Sequence, residues 1–112
     1  MNRRIPKQEV ITTAARVVNS GDIHEAPGGR FGYYADGKAA AVGQNIVLHT
    51  EEWVEVPAPS ALVLAANAAV NFNLTTQAAV ASGGSNIGRA IYGKANGETT
   101  VKVSLNSTGN VV

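Results

Sequence analysis

The chain has 112 residues, which is enough for one domain with its own core and leaves no room for a second. Cysteine is absent, so the sequence offers no disulfide framework, no thiolate nucleophile and no cysteine-based zinc site. Nine basic and eight acidic residues give a formal net charge of +1, which does not indicate a nucleic-acid-binding surface or an acidic partner.

The apolar residues predict neither a membrane span nor a secretion signal. The best apolar run, residues 61–66, is far shorter than the roughly 20 residues of a membrane helix. Polar residues such as Glu9 and Arg16 interrupt what would be the hydrophobic region of a signal peptide. We therefore expect a protein with no membrane partner that stays in the cytoplasm where it is made.

The beginning of the chain is predicted to form an N-terminal arm and loop over residues 1–28, followed by a β-domain over residues 29–112. Residues 9–18 are rich in β-branched side chains and lack helix caps, so they fit either an extended arm or an edge strand. The basic residues Arg3, Arg4 and Lys7 could contact phosphates or an acidic protein surface, although a solvated terminus is the simpler interpretation.

Short strands separated by turn residues are predicted along the rest of the chain. They cover residues 30–35, 45–49, 52–56, 68–75 and 77–81, between turns rich in Gly, Asn, Asp and Pro. The clearest alternation puts Val70 and Phe72 on a buried face. Residues 60–67 are ambiguous, and we expect irregular structure or one helical turn there. The pattern predicts an all-β fold, a small sandwich or barrel of short antiparallel strands with an extended N-terminal arm.

A near-match to a nucleotide-binding loop lies close to the end of the chain. Gly88 to Lys94 fits the pattern G-x-x-x-x-G-K, but Ala95 has no hydroxyl for the Mg²⁺ that the motif holds. The motif also needs a following helix, whereas Asn96-Gly97 predicts a type I′ turn and residues 101–105 alternate like a strand. We therefore interpret Ile87 to Leu105 as one β-hairpin.

The spacing of the histidines and glutamates in the sequence does not predict a catalytic or metal-binding site. His24 and His49 are the only imidazoles, and two histidines without converging carboxylates make a poor metal site. Glu51 and Glu55 would share a strand face roughly 13 Å apart, beyond the about 5 to 9.5 Å of glycosidase pairs. We predict no enzyme, no metal or cofactor and no small-molecule substrate. With Trp53 between them, the two glutamates form a candidate patch for a protein partner.

Three segments carry a resemblance to a known family. Residues 43–48, running into Trp53-Val54-Glu55-Val56-Pro57, are similar to a strand pair with a G-x-F-E-V-P-like signature. Residues 68–73 resemble a later strand, although the usual G-D-x-V-Y is absent. Residues 87–90 and 96–106 are similar to a closing I-G-x-A … G-x-T-T-V-x-V-x-L hairpin. Together they resemble the small head decoration, or capsid cement, proteins of tailed bacteriophages.

The resemblance implies a structural virion protein on the outside of an icosahedral head, made in the host bacterial cytoplasm. Its partners would be the phage major capsid protein, whose neighbouring subunits it bridges, and copies of itself, as a trimer or other oligomer at symmetry axes. An arm lying across a neighbour would add contacts by strand addition. The candidate contact residues for the capsid or another partner are Arg3, Arg4, Lys7, Val10, Ile11, Glu51, Trp53 and Glu55.

A phage nucleic-acid-binding module is the alternative function. It would combine the basic N-terminus with Tyr33 and Tyr34, whose rings could stack on bases. Only Arg30 and Lys38 accompany these aromatics, so packing explains them more simply. We rank capsid decoration first, another phage or bacterial structural interaction module second, nucleic-acid binding third and catalysis last.

Overall fold

A computed structural model describes residues 9–108, which form nine β-strands in two antiparallel sheets. In chain order the strands are β1 Glu9–Thr13, β2 Ile23–Ala26, β3 Arg30–Tyr33, β4 Asn45–His49, β5 Trp53–Pro57, β6 Ala69–Asn73, β7 Ala78–Val80, β8 Ser85–Ala90 and β9 Thr100–Leu105. No helix occurs within residues 9–108, and hence none there that could cross a membrane. The predicted all-β class, built from short antiparallel strands, is confirmed.

The first compact unit ends at Glu52 and contains a four-stranded sheet in the order β1-β4-β3-β2. β1 pairs with β4 along its whole length, from Glu9 opposite His49 to Thr13 opposite Asn45. Of the two structures expected for residues 9–18, the edge strand is therefore the one observed over β1. Small and medium apolar side chains and one tyrosine form the core cluster of this unit, namely Ala14, Val18, Ala26, Tyr34, Ala40, Ile46 and Leu48.

Strand β2 is the element of this unit that the sequence pattern did not predict. Ile23 and His24 are both buried in it, so it lacks the simple alternation of a half-buried strand. β2 pairs with β3, with Ala26 opposite Arg30, and this hairpin spans the predicted domain boundary. The division after residue 28 stays a prediction. Residues 1–8, which include the predicted contacts Arg3, Arg4 and Lys7, lie outside the described residues.

The second compact unit begins at Trp53 and contains a five-stranded sheet in the order β5-β9-β8-β6-β7. Its buried side chains include those of the alternating patterns in the sequence, namely Val54, Val56, Val70, Phe72, Ile87, Val101, Val103 and Leu105. Phe72 is the largest of the fully buried side chains. Residues 60–67 contain turns and a single bridge residue, as expected for irregular structure.

Strands β8 and β9 pair as predicted, but the residues between them do not complete a simple hairpin. Gly97 has a φ of 99°, whereas Asn96 is not among the residues with positive φ, so the predicted type I′ turn is wrong. The Ala95 carbonyl accepts from the Glu98 N–H at 3.2 Å, which fits a type II turn. The residues that connect β8 to β9 do not pair with one another. They pair with an earlier part of the chain, through a bridge between Lys94 and Leu64.

An ion pair ties the segment after β1 to strand β2 and makes the first unit sensitive to acid. The Arg16 guanidinium hydrogen-bonds the Glu25 carboxylate and lowers the pKa of Glu25 below its ordinary 4.5, although partial burial opposes this shift. A lowered pKa in the folded state contributes stability above the unfolded pKa, and this contribution is lost as the pH falls through the folded value.

We expect Glu25→Gln to lower the free energy of unfolding by about 0.5 kcal/mol at neutral pH, because partly exposed pairs are weak. Well below pH 4.5 the free energies of unfolding of the variant and the wild type should become equal. Urea unfolding followed across this pH range measures the difference. A difference that stays constant through the acid range would show that the carboxylate charge is not the cause.

Candidate functional site

Lys94, the lysine of the nucleotide-binding near-match, is buried and serves the fold. Its side chain is 3% exposed, and Nζ donates to the carbonyls of Leu62 at 2.6 Å, Ser60 at 3.2 Å and Ala95 at 3.2 Å. An ammonium group has three donors, and each has an acceptor here. The ion pairs found among residues 9–108 do not include Lys94. This lysine is therefore committed to holding residues 60–64 against the β8–β9 connection.

The two glycines of the near-match are also explained by packing. A Cβ at Gly88 would overlap the carbonyl oxygen of Ser104, across the β8–β9 ladder. A Cβ at Gly93 would lie 2.6 Å from the carbonyl oxygen of Leu64, and Gly93 has a φ of 82°. Both positions need glycine because another segment of backbone approaches closely. The spacing that imitates a phosphate loop therefore arises from two close backbone approaches and one buried lysine.

The two histidines lie in different environments and neither belongs to a metal cluster. His24 is buried, and its Nε2 accepts from the Ala15 N–H at 3.1 Å, so Nδ1 carries the proton and donates to the Glu25 carbonyl at 2.7 Å. His49 is half-buried, with Nδ1 lying 3.9 Å from Glu52 Oε1. Between residues 9 and 108, no group of three or more His, Cys, Asp or Glu side chains is placed to hold a metal ion.

The outer face of β5 carries two of the predicted contact residues. Trp53 and Glu55 point outward between the buried Val54 and Val56, and the Trp53 side chain is 59% exposed. Glu55 lies opposite Lys102 of β9 in the register. Glu51 is exposed but precedes β5, so the strand face predicted to carry all three residues holds only Trp53 and Glu55.

Tyr92 is an exposed aromatic residue that the sequence analysis did not single out. Its side chain is 66% exposed and borders a groove of about 180 Å³, which Glu55 and Lys102 also line. Tyr92 also borders a shallow groove of about 490 Å³ that the exposed Val63 lines. Ala90 and Ile91 before it are both buried, so no alternating pattern marked Tyr92 as an exposed position. We call Trp53, Glu55, Val63, Tyr92, Glu98 and Lys102 the Tyr92 surface.

The first unit has its own exposed apolar pair on strands β1 and β4. Ile11 is 67% exposed and lies opposite Val47, which is 42% exposed. Val10, the neighbouring predicted contact residue, is half-buried and packs on the core of the unit. Ile11 is therefore the β1 side chain available to a partner, and contact at either residue stays a prediction.

Tyr33 and Tyr34 do not form the paired stacking platform of the alternative function. Tyr34 is buried, and its hydroxyl donates to the Lys38 carbonyl at 2.9 Å. Burial of this phenol and the nearby Asp36 carboxylate raise the pKa of Tyr34, so the hydroxyl remains a donor. Tyr33 is half-buried within β3, between Ile23 and His49 in the register.

Taken together, the described residues form an all-β module whose second unit exposes two aromatic side chains, Trp53 and Tyr92. A family model described as phage cement protein matches residues 5–105. The chain therefore belongs to the phage cement protein family, which is a structural, capsid-associated class and not an enzyme class. The resemblance found in the sequence is confirmed. No curated protein and no solved structure matches the chain.

Proposed function

We propose that this protein binds the outside of an icosahedral phage head and bridges neighbouring major capsid subunits, with the Tyr92 surface as a principal contact. The observation that carries the proposal is the exposure of Trp53 and Tyr92, at 59% and 66%, in a member of a capsid-associated family. Trp and Tyr are enriched among the residues that dominate binding energy at protein interfaces. The charged side chains Glu55 and Lys102 beside them supply the polar rim of such an interface.

Bridging requires two contact surfaces on one molecule, and each unit offers one. The second unit has the Tyr92 surface, and the first has the exposed pair Ile11 and Val47. A protein that binds only the assembled, expanded lattice stabilises it by RT ln(1 + [L]/Kd) per site. Occupancy of many sites then raises the resistance of the head to internal DNA pressure without any chemical step.

Cosedimentation tests the proposal directly. The purified protein is mixed with empty expanded capsids, with immature shells, with isolated major capsid subunits and with DNA. Saturable binding to expanded capsids alone is expected, because the proposed bridging site forms only where two subunits meet in the expanded lattice. Equal binding to isolated subunits would contradict bridging, and salt-sensitive retention on DNA without capsid binding would favour the nucleic-acid alternative.

Substitutions in the Tyr92 surface give a sharper prediction. We expect Trp53→Ser and Tyr92→Ser each to weaken binding to expanded capsids about tenfold or more, as truncation of interface aromatics does. Both side chains are exposed, so the free energy of unfolding should change little. The matched control is Val17→Ser, which removes an apolar side chain that is 58% exposed in the first unit. Unaltered affinity in both aromatic variants would exclude the Tyr92 surface as the contact.

A further inference from the structure

Strand β4 has one fully paired edge and one edge that is open over part of its length. β1 covers one edge from Asn45 to His49, but β3 pairs with the other edge only where Tyr33 lies opposite His49. Beyond this pair the chain turns towards β2, because the Tyr34 N–H donates to the Asp22 carbonyl at 2.9 Å. The ladder between β3 and β4 therefore stops after one pair.

A groove of about 370 Å³ lies where the ladder would have continued, and we call it the Val47 groove. Its walls are Tyr34, Ala35 and Asp36 on one side, and Gln44, Asn45, Ile46, Val47 and His49 on the other. Continuing the register from Tyr33 and His49 would place Ala35 opposite Val47. In the part of the chain that the structure describes, no backbone hydrogen bond joins these two residues.

The direction of the backbone groups of β4 follows from its pairing with β1. The Ala14 N–H donates to the Gln44 carbonyl at 2.8 Å, so this carbonyl faces β1, and by the register Ile46 and Leu48 direct their N–H and C=O groups to the same side. Asn45 and Val47 then direct their N–H and C=O groups into the groove. Backbone groups on an open strand edge are a template for pairing with another strand.

The charge of the groove indicates which kind of strand fits. Asp36 forms no ion pair within residues 9–108, and it is the acidic residue of the groove wall. Residues 1–8 of this same chain carry Arg3, Arg4 and Lys7 and no acidic residue. Asn2 to Ile5 would span about 13 Å when extended, which is enough to pair with Asn45 and Val47. Pro6 has no N–H, so such pairing would end there.

We propose that residues 2–5 of a second copy of this chain pair with β4 in the Val47 groove, with their arginines near Asp36. A second copy fits better than the chain's own segment, because β1 occupies the opposite edge of β4. To enter its own groove, the chain from Ile5 to Glu9 would cross about 10 Å of sheet and pass over the side chains of β4. Its four Cα steps reach at most about 14 Å, so only about 4 Å would remain for the turn over β4 and for pairing along it. Copies of the protein thus join through an exchanged N-terminal strand.

Engineered disulfides test this pairing, and the absence of native cysteine makes the result unambiguous. One chain carries Ile5→Cys and an affinity tag, and the other carries Val47→Cys. The two are mixed without capsids and oxidised with diamide. We expect a mixed disulfide-linked dimer that forms with Val47→Cys and is lost when Val17→Cys, an exposed position outside the groove, replaces it. Adding Asp36→Lys to the Val47→Cys chain should reduce the mixed dimer.

Two results would overturn the proposal. One is equal crosslinking at Val47→Cys and Val17→Cys, and the other is crosslinking only when both cysteines are in the same chain. Sedimentation velocity gives a second measurement, in which the chain lacking residues 2–8 should lose the self-association of the full chain. The deletion stops before β1, so it leaves the described strands intact. Neither measurement uses capsids, so the result is separate from that of the capsid-binding experiment.

Discussion

Lys94→Met should be among the most destabilising single substitutions in the second unit. Methionine keeps most of the apolar stem but removes the ammonium group, which leaves the Leu62 carbonyl without its donor and the Ser60 carbonyl with only the Gly97 N–H. Leaving a buried carbonyl without its charged donor destabilises a fold more than the loss of an ordinary hydrogen bond does. We therefore expect the free energy of unfolding to fall by about 3 kcal/mol. Urea denaturation followed by Trp53 fluorescence measures it.

Lys102→Met is the matched control, since it removes an ammonium group from an exposed position of the same unit. We expect this change to stay within about 0.5 kcal/mol. If the two variants unfold at the same urea concentration, water replaces the Lys94 ammonium at no cost, and the proposed structural role of Lys94 is wrong. Nucleotide binding by the wild type that Lys94→Met abolishes would instead revive the phosphate-loop interpretation.

Gly88→Ala should have an effect at least as large. The new methyl group would overlap the carbonyl oxygen of Ser104, so the β8–β9 ladder must move apart in the middle of the sheet. Overpacking against backbone cannot be relieved by a change of rotamer, and we expect a loss of about 3 kcal/mol or more. Thermal unfolding followed by far-ultraviolet circular dichroism reports the change as a lower Tm.

The same substitution at Gly37 separates this steric cause from the general effect of replacing glycine. A Cβ at Gly37 meets no atom within 4 Å, and its φ is not positive. Gly37→Ala should therefore leave Tm nearly unchanged or raise it slightly, because alanine restricts the unfolded chain. A Gly88→Ala protein as stable as Gly37→Ala would mean that β8 and β9 approach less closely than the structure shows.

Local patterns predicted the strands whose burial alternates. Val70 and Phe72 in β6, and Val101 and Val103 in β9, are buried as their spacing indicates, because one face of each strand packs on a core. β2 was not predicted because Ile23 and His24 are both buried, and a buried histidine looks polar in the sequence. Its imidazole is accommodated by hydrogen bonds to Ala15 and Glu25, which no local pattern reveals.

The parts that failed depend on contacts between distant residues. Asn96-Gly97 was expected to close a hairpin, but the Gly97 N–H donates to the Ser60 carbonyl at 2.7 Å. A preference for a turn type is weak beside such long-range pairing, so tertiary structure decided the turn. The exposure of Tyr92 was missed because Ala90 and Ile91 before it are both buried, so no local alternation marks the outward position. The family resemblance, by contrast, rested on residues spread over most of the chain and is confirmed.

The three carbonyls around Lys94 resemble the oxygen cage that a protein builds for a metal cation, with the ammonium in the place of the ion. A cation covalently attached to the chain has a very high effective concentration at its own site. Neither a chelator nor dilution can therefore remove this cation from its site. The loop architecture of the second unit should therefore be independent of the cation composition of the medium, a useful property in a component of a particle that moves between hosts.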